Sequence, residues 1–409
     1  MNMFRRFVFL FAALGALLCS CGGIDVATAA EDACEPAFLE IFEKPQGGWT
    51  VVSVSPFDGS RDSLEIDRPV ERLIVMSTSH YGFLDALGRT DIVVGASGPD
   101  YIFSDQAAFE TSSGVLTASP GEAPSLASRS EELRLPEPDD GHRFQKPSEL
   151  AAATRPVDVG YDAAPDYERI VGLKPDVVLT YAVSGAKSPF ETRLEQLGIK
   201  VFTVNEHLES HPLARAAYIR LFGALTGKME AADEILAEVR ENYTALAQTI
   251  QERRVSPRKI LLNIPYNDQW FVPSEESYLT AMTRDAGGDV LGCERGKAAS
   301  SVMSVEKAYS LSKEADLWLN VGWCLNLDQL LGINPIFTDI LNNIESNAIK
   351  RGYTSSPAVW NDNKRVNSKG GNDIWQSGVA RPDLVLRDLV GILHPTDQVN
   401  ETIYYKPID

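Results

Sequence analysis

Residues 166–179 read Asp-Tyr-Glu-Arg-Ile-Val-Gly-Leu-Lys-Pro-Asp-Val-Val-Leu, and this segment predicts a short helix that runs directly into a buried strand. Asp166 is of a residue type that caps helix N-termini, and the Val-Val-Leu run is apolar enough for a strand covered on both faces. Helices that alternate with such strands are typical of a parallel sheet with helices on both sides. The segment therefore indicates an α/β fold.

The same order of residues returns in the second half of the chain. Residues 304–311 read Ser-Val-Glu-Lys-Ala-Tyr-Ser-Leu, and residues 316–319 read Asp-Leu-Trp-Leu. In both copies a cap residue is followed by one spacer, a glutamate and a basic residue. A leucine then stands five positions after the glutamate, and an aspartate opens the strand. Repetition of a whole helix–strand phrase indicates two copies of one architecture.

Further strand, loop and helix signals surround each copy. The expected strands are 73–76, 92–95, 199–204 and 259–263, the expected loops are 77–80 and 265–269, and the expected helices are one that ends at Gly88 and one over 278–286. Strands that alternate with helices in both halves predict two Rossmann-like α/β lobes with parallel-rich sheets.

A long amphipathic helix is expected between the halves, from about Met229 to Arg253. Its apolar residues recur at steps of three or four and form one stripe: Ala231, Ile235, Val239, Tyr243, Leu246 and Ile250. At 1.5 Å per residue such a helix is roughly 35–40 Å long, more than one small sheet needs. It contains no helix breaker. We therefore expect one rigid helix that joins the two lobes.

These signals divide the chain into units. The segment 104–150 is rich in Ser, Pro, Glu and Ala and is typical of a loop insertion. The expected units are a signal peptide at 1–20, a tether that leads into a first strand at 21–69, an N-terminal lobe at 70–227 with the insertion at 104–150, an interlobe helix at 228–254, a C-terminal lobe at 255–395 and a tail at 396–409.

The N-terminus carries an export signal. Arg5 and Arg6 precede an apolar run over 7–18 that is too short to span a bilayer comfortably. The sequence Leu18-Cys-Ser-Cys-Gly22 then resembles a lipobox, which implies diacylglycerol on the sulfur of Cys21. The alternative is an ordinary signal peptide cleaved near Ala30. We expect an exported protein of the cell envelope, held by lipid on the periplasmic face or at the cell surface.

Composition excludes some function classes. The formal net charge of −19 disfavours binding to nucleic acid and electrostatic adhesion to anionic lipid. The sequence contains no GxSxG or HExxH motif, and its P-loop-like run from Gly223 to Lys228 is one residue short. We therefore expect a binding protein and not an enzyme. A disulfide between Cys293 and Cys324 stays open, since sequence does not give its geometry.

Several further segments carry a family resemblance. They are Glu168 with Leu173-Lys-Pro-Asp176-Val-Val-Leu179, Trp270-Phe-Val-Pro273 leading to Asp285-Ala-Gly-Gly-Asp289, the pair Val305-Glu306, and a closing run from Gly370 to Pro395. Together with the lipobox they resemble the class III solute-binding proteins of ABC importers, which carry iron–siderophore complexes, haem and corrinoids. The closing run is similar to iron-transport lipoproteins of Bacteroidetes-type bacteria.

The resemblance covers roughly residues 70–395 outside the insertion and implies a function. It implies that a metal chelate, such as an iron–siderophore, haem or cobalamin, binds in a cleft between the lobes and passes to a permease dimer. It implies no intrinsic cofactor and no resident metal, and we expect a monomer. Such clefts lie beyond the carboxyl ends of parallel strands.

Two sets of residues are candidates for these roles. Glu168 and Glu306 match surface glutamates that dock on permease arginines in the family, although an acid in the first helical turn also favours the helix dipole. The candidate ligand contacts lie in or near expected strand-end loops: Ser79, His80, Tyr181, His207, Glu209, Arg215, Tyr266, Asn267, Trp270, Trp323, Asn372 and Trp375. The aromatic members suit a flat macrocycle or chelate, with Trp270 and Trp323 the strongest candidates.

Three alternatives remain open at the level of sequence. The first is a divalent-metal binder of related fold, which would use His80, His207 and a carboxylate. An envelope chelatase or other enzyme could be built on the same lobes, since a catalytic constellation can be scattered in sequence. A surface adhesion lipoprotein would lack a closed ligand cleft.

Overall fold

The computed structural model describes residues 34–103, 155–296, 300–353, 356–395 and 401–409. The expected signal peptide, the lipidation candidate Cys21 and the 104–150 insertion lie outside the described residues.

The N-terminal lobe is built on a five-stranded parallel sheet with the strand order β10-β9-β4-β5-β6. Its strands are β4 (Leu73–Val75), β5 (Val93–Ala96), β6 (Val157–Asp158), β9 (Val177–Thr180) and β10 (Val201–Thr203). Ile74 and Val178 pair at its centre and are fully buried. The expected parallel sheet is confirmed, because short apolar runs of this kind are stable only when both faces are covered.

Helices cover this sheet. They are α1 (Thr78–Ala86), α2 (Tyr167–Leu173), α3 (Pro189–Gln196), α4 (Pro212–Ala216) and α5 (Ile219–Thr226), and a small hairpin joins β7 (Gly160–Tyr161) to β8 (Ala164–Pro165). Asp166 caps α2 by accepting a hydrogen bond from the backbone N–H of Arg169 at 2.9 Å. The helix–strand phrase over 166–179 is therefore confirmed.

A three-stranded antiparallel sheet precedes the N-terminal lobe. Its strands are β1 (Leu39–Glu43), β2 (Trp49–Val54) and β3 (Arg61–Ile66). The sequence indicated one entry strand in this segment, whereas the structure has three strands here. Gly47 and Gly48 have positive φ angles of 88° and 83°, so the chain turns back sharply and pairs β1 with β2. Val51 and Leu64 are buried against the lobe.

The C-terminal lobe repeats the architecture with the strand order β14-β11-β16-β17-β18. Its strands are β11 (Arg258–Leu262), β14 (Gly288–Val290), β16 (Leu317–Leu319), β17 (Val359–Asn361) and β18 (Lys406–Pro407), and only β18 runs antiparallel to its neighbour. The described part of the expected tail thus belongs to the lobe. Tyr404 and Tyr405 are buried, and the carboxylate of Asp388 accepts their backbone N–H groups.

Helices also cover the second sheet. They are α7 (Tyr278–Asp285), α8 (Val305–Ser312), α9 (Leu327–Ile333), α10 (Ile336–Lys350), α11 (Ser377–Ala380) and α12 (Pro382–Leu393). The expected loop at 265–269 is instead a hairpin of β12 (Pro265–Tyr266) and β13 (Gln269–Val272), to which β15 (Ser301–Met303) adds. Asn267 and Asp268 hold positive φ angles of 49° and 61°, as a two-residue hairpin turn requires.

The expected interlobe helix is confirmed as α6 (Met229–Glu252), of 24 residues. It packs against α5 of the first lobe and against α7 and α12 of the second. The hydroxyl of Tyr243 donates to Asp285 Oδ2 at 2.7 Å, which ties the helix to the C-terminal lobe. Over the described residues, no helix combines the length and apolarity needed to cross a membrane.

Direct contacts also join the two lobes. The side-chain amide of Gln376 accepts from the backbone N–H of Phe103 at 2.9 Å and donates to its carbonyl at 3.1 Å. The amide of Asn367 donates to the carbonyls of Asp100 and Ile102, each at 3.0 Å. Gly82 of α1 lies so close to Gln376 that a Cβ there would stand 2.1 Å from its carbonyl oxygen. The lobes are therefore in direct contact, in addition to their connection through α6.

Candidate functional site

A cavity of about 1040 Å³ lies between the lobes. The N-terminal side contributes the segment Ala37–Phe38 and the loop His207–Ser210. The C-terminal lobe contributes the other described lining residues: Asn263, Pro273, Ser274, Glu276, Ser277, Tyr278, Leu279, Ser300, Asn320, Gly322, Trp323, Leu325, Asp362, Asn363, Val366, Asn367, Gly370, Asn372 and Trp375. The expected cleft is therefore present, and it is lined more from the C-terminal lobe than from the N-terminal lobe.

The cavity opens at the carboxyl ends of the C-terminal strands. Asn263 and Asn320 directly follow β11 and β16, and both hold left-handed backbone with φ angles of 68° and 59°. Asparagine tolerates this conformation better than most residues, so the chain can turn sharply away from each strand. The indole N–H of Trp318 donates to the carbonyl of Asn263 at 2.8 Å and fixes one of these turns.

Two exposed tryptophans line the cavity. Trp323 is 66% exposed and Trp375 is 40% exposed, although tryptophan normally buries most of its surface. Both were expected to contact ligand. Their indole rings leave a large apolar area open to a bound molecule, which is the property that a flat or bulky ligand requires.

Four buried polar residues form the floor of the cavity, which we call the polar floor: Ser274, Asn320, Asp362 and Asn363. Oγ of Ser274 and Oδ1 of both asparagines have no hydrogen-bond partner within the described part of the chain. Burial raises the pKa of Asp362 to about 6, opposed by its own backbone N–H. Buried polar atoms without partners are costly, so this arrangement points to a ligand that completes them.

Asn372 supports the polar floor. Its amide donates to the carbonyl of Asp362 at 3.0 Å, and its Oδ1 accepts from the backbone N–H of Ile374 at 3.3 Å. Asn372 lines the cavity as expected, but these bonds give it a structural part as well. It holds the loop after β17 in place.

Glu209 lines the cavity and anchors the N-terminal segment. Its carboxylate accepts the backbone N–H groups of Ala37 and Phe38, each at 3.1 Å, and the hydroxyl of Tyr218 at 3.0 Å. Burial raises the pKa of Glu209, and these hydrogen bonds oppose the rise. Since both oxygens are engaged, Glu209 positions the wall at Ala37 and Phe38.

His207 also lines the cavity, whereas Tyr181 does not. The Nε2 atom of His207 lies 3.0 Å from the carbonyl oxygen of Ala182, and its ring meets the Tyr181 ring edge-on with centroids 6.0 Å apart. Tyr181 therefore lies behind His207, and its expected direct contact with ligand is not supported.

Ser79, His80 and Arg215 lie behind the cavity wall and do not line it. Ser79 and His80 belong to the first turn of α1 and not to the expected loop, and His80 is fully buried. Ser79 donates to Glu206 Oε1 at 2.6 Å, while Arg215 lies 3.7 Å from the same oxygen. Arg215 also stacks over Tyr278 with its guanidinium carbon 4.5 Å from the ring centroid. The three residues therefore support the wall from behind.

The ionisation states of this buried cluster follow from its burial and its charges. Burial lowers the pKa of His80 to about 4, so the ring is neutral at pH 7. Burial raises the pKa of Glu206, but the neighbouring His207 ring, 3.7 Å away, and the charge of Arg215 outweigh it and bring that pKa to about 2. Within the described ranges, no group of three or more His, Cys, Asp or Glu side chains could hold a metal ion.

Trp270 was wrongly expected to contact ligand. It is fully buried in the C-terminal core, where its ring stacks on Trp318 with centroids 5.9 Å apart. Its indole N–H donates to the carbonyl of Leu262 at 2.7 Å. Trp270 lies on β13 of the hairpin that sequence reasoning took for a loop, and alternation along that strand turns it inward.

Tyr266 and Asn267 also lie away from the cavity. They sit at the turn of the same hairpin, and Tyr266 is 72% exposed to solvent. Neither residue lines the cavity. The hairpin carries the turn outward past the carboxyl end of the sheet, so the expected contacts of both residues are not supported.

Sequence reasoning missed the polar floor. Asp362 and Asn363 directly follow β17 in the run Val-Trp-Asn-Asp-Asn, and Asn320 directly follows β16. Polar residues immediately after a buried strand are the signal that could have identified them.

The candidate docking residues are placed alike on the two lobes. Glu168 and Glu306 are both exposed, and each is the second residue of a helix that a side chain caps. The Ser304 side chain, together with the backbone N–H of Glu306, lowers the pKa of Glu306.

The disulfide that the sequence left open between Cys293 and Cys324 is absent from the structure. Both residues are free thiols, and burial raises the pKa of Cys324 to about 11.

Two α/β lobes, one connecting helix and a cleft at their strand ends define a solute-binding protein. The family described as "Periplasmic binding protein" matches residues 73–339, and the chain belongs to this family. Members of the family are binding proteins and not enzymes. The fold is the one expected from the resemblance to class III solute-binding proteins.

Known proteins extend this comparison. An uncharacterized lipoprotein of Methanocaldococcus jannaschii is 26% identical over 256 residues, which cover 62% of this chain. The chain spans 56% of the length of that curated relative.

Solved structures share the fold at low sequence identity. A periplasmic binding protein from Veillonella parvula matches with a TM-score of 0.52 and 16% identity over 85% of this chain and 98% of its own. A periplasmic haem-binding protein from Pseudomonas aeruginosa matches with a TM-score of 0.53 and 14% identity over 83% and 98%. A periplasmic haem-binding protein from Roseiflexus matches with a TM-score of 0.50 and 15% identity over 80% and 99%.

Proposed function

We propose that this protein is a lipid-anchored substrate-binding protein that captures a metal chelate between its lobes and delivers it to an ABC importer. The ligand is an iron complex, either a siderophore or haem, or else a corrinoid. The observation that carries the proposal is the interlobe cavity with its two exposed tryptophans, Trp323 and Trp375.

The size of the cavity favours a large ligand. Its volume of about 1040 Å³ lies at the upper end of ordinary small-molecule pockets, which span about 300–1,000 Å³. A sugar or an amino acid would leave most of this space filled with water. A chelate or macrocycle would fill it and bury the open faces of Trp323 and Trp375.

Two of the similar structures are described as haem-binding proteins, which agrees with a metal chelate as the ligand. At such low sequence identity the similarity shows only a shared fold, so the choice among chelates depends on this chain's own lining residues. Those residues include carboxylate and amide groups and exposed indoles.

Delivery requires a permease, and Glu168 and Glu306 are the residues that we assign to docking. Each stands exposed at the start of a helix at the same place in the repeated helix–strand phrase. Two carboxylates held at a fixed spacing by two lobes in contact can pair with two arginines of a symmetric permease dimer.

Attachment to the membrane is assigned to Cys21, because the sequence around it resembles a lipobox. The curated relative is itself named a lipoprotein. An acyl anchor would keep this acidic protein near its permease without electrostatic attraction to lipid.

The test is direct binding to the full mature protein. Titration with ferric siderophores, haem and cobalamin should give one site per protein, detected by quenching of tryptophan fluorescence and by the absorbance of the bound chelate. Mass spectrometry of whatever co-purifies should find a metal chelate. Binding of none of the chelates, together with tight binding of a sugar or an amino acid, would overturn the proposal.

A further inference from the structure

The polar floor of the cavity faces the ligand with hydrogen-bond acceptors. The amide group of Asn363 donates to the carbonyl of Cys324 at 3.0 Å, and because a carbonyl cannot donate, this bond fixes the orientation of the amide. Its Oδ1 is left buried without a partner. Asn320 also has a buried Oδ1 without a partner among the described residues, and its side chain interacts with the hydroxyl of Tyr405.

The other members of the floor continue this pattern. Asp362 is 7% exposed and lines the cavity, and it forms no ion pair with any of the described side chains. Ser274 is 2% exposed, and its hydroxyl oxygen has no partner within the described ranges. The floor therefore offers two amide oxygens, one carboxyl and one hydroxyl to a bound molecule.

The described residues that line the cavity carry acidic and not basic side chains. None of the described residues that line the cavity is a lysine or an arginine, whereas Glu209, Glu276 and Asp362 do line it. Arg215 lies behind Tyr278 and faces Glu206, so its charge is directed away from the floor.

We propose that the polar floor selects, among metal chelates, those that carry no net negative charge and present N–H or O–H donors at their edge. This inference rests on the proposed function and narrows its ligand class. Amide-bearing macrocycles and neutral or cationic chelates meet both conditions. Chelates with peripheral carboxylates or a net negative charge would place unpaired anions against buried acceptors, which is unfavourable.

The experiment compares four chelates of known charge on the same protein at pH 7.5. Cobalamin and a neutral ferric trihydroxamate represent the favoured class, while haem and an anionic ferric triscatecholate represent the disfavoured one. Dissociation constants come from tryptophan fluorescence quenching. We expect a member of the favoured class to bind at least about tenfold tighter than either anionic chelate.

Variants assign the selection to the floor. Asp362→Asn keeps the shape of the side chain and removes its charge, so the preference should shrink by about tenfold. Asn363→Asp adds a second carboxyl and should enlarge the preference. Asp339→Asn removes the same charge from the exposed face of α10, and it serves as the matched control with an unchanged preference. Thermal melts confirm that each variant is folded.

The outcomes separate the inference from the function on which it rests. Equal or tighter binding of the anionic chelates would overturn the inference and leave the proposed function intact. A preference that the two floor variants leave unchanged would overturn the assignment to the floor. Binding of none of the four chelates would overturn the proposed function itself, and the inference with it.

Discussion

At the scale of single residues, the tryptophans of the C-terminal lobe fall into two groups that sequence alone does not separate. Trp270 and Trp323 both stand near a strand end in the sequence, yet one is fully buried and the other is 66% exposed. The difference comes from the hairpin of β12 and β13, whose alternation turns Trp270 into the core. Exposure, and not residue type, therefore separates a ligand contact from a core residue.

This distinction gives a paired prediction. Trp323→Ala should weaken chelate binding by about ten- to a hundredfold and leave the free energy of unfolding nearly unchanged, because the side chain contacts mainly solvent in the empty protein. Trp270→Ala should instead cost about 3–5 kcal/mol of stability, since it opens a cavity beside Trp318. Urea unfolding and fluorescence titration of both variants measure the two effects. A loss of stability in Trp323→Ala together with a loss of binding alone in Trp270→Ala would contradict this assignment.

Asp362 gives a prediction about pH. Its pKa is raised by burial from 3.8 to about 6 in the folded protein, so the folded state holds more protons than the unfolded state between these values. The free energy of unfolding therefore decreases as pH rises from about 4 to about 6, and the protein stays destabilised by the buried charge at higher pH. Asp362→Asn removes this cost.

The Asp362→Asn variant should thus be more stable than the parent protein at pH 7.5 and equally stable near pH 3.5. Thermal melts of the ligand-free protein across this range measure the difference, and Asp339→Asn on the exposed face of α10 is the control. A gain that stays constant with pH would show that the buried charge is not its cause.

At the scale of elements, the sequence predicted those helices and strands that are determined by residues close together in the chain. The phrase over 166–179, the parallel strands and the helix α6 follow from caps and periodicity within each segment. The hairpin at 265–272 was missed because its turn is Asn267-Asp268 and carries no glycine, the usual signal of such turns. The strand β18 was missed because its pairing with β17 joins residues far apart in the chain.

The candidate site was harder to predict than the fold. Cavity walls are made by side chains from separate loops, so no periodicity reports which of them converge. His207, Glu209, Trp323, Asn372 and Trp375 were named from sequence and line the cavity. His80 and Arg215 were predicted as ligand contacts from their residue types, but they lie behind the wall. Both belong to a buried polar cluster around Glu206, and sequence does not separate such a supporting role from direct ligand contact.

The contact between α1 and the loop before α11 gives a prediction at this scale. Gly82→Ala would place a methyl group 2.1 Å from the carbonyl oxygen of Gln376, so the lobes must shift apart. We expect a loss of about 1–3 kcal/mol in stability and weaker chelate binding.

Gly172 provides the matched control for that variant. It lies in α2 with open space around its Cβ position, so Gly172→Ala should be neutral or stabilise the protein by up to about 1 kcal/mol. Urea unfolding compares the two changes. A similar cost for both would mean that glycine flexibility, and not interlobe contact, explains the effect at Gly82.

At the scale of the whole molecule, the proposed docking requires both lobes to present their outer surfaces to the permease at the same time. Reversing both charges, with Glu168→Lys and Glu306→Lys, should leave chelate affinity unchanged because neither residue lines the cavity. Uptake should fall to near background, since like charges now face the permease arginines. Glu314→Lys, on the turn after α8, reverses an exposed charge as the control. Normal uptake by the double variant would remove the docking role.

The last prediction concerns motion between the lobes. α6 is a continuous helix of 24 residues without proline or glycine, so it does not supply a hinge. The Gln376 amide binds both backbone groups of Phe103, and Asn367 binds two carbonyls of the same N-terminal loop, which ties the lobes at a second place. Two separate connections restrict rotation far more than one.

We therefore expect the radius of gyration to change by less than about 1 Å when a chelate binds, which is the range of pre-organised complexes. Small-angle scattering of the free and saturated protein measures this change. Gln376→Ala removes two of the interlobe hydrogen bonds and leaves α6 intact, so it should lower affinity by widening the range of lobe orientations in the free protein. A closure of many ångströms in the parent protein would show that these contacts form only after the ligand binds, and that α6 bends.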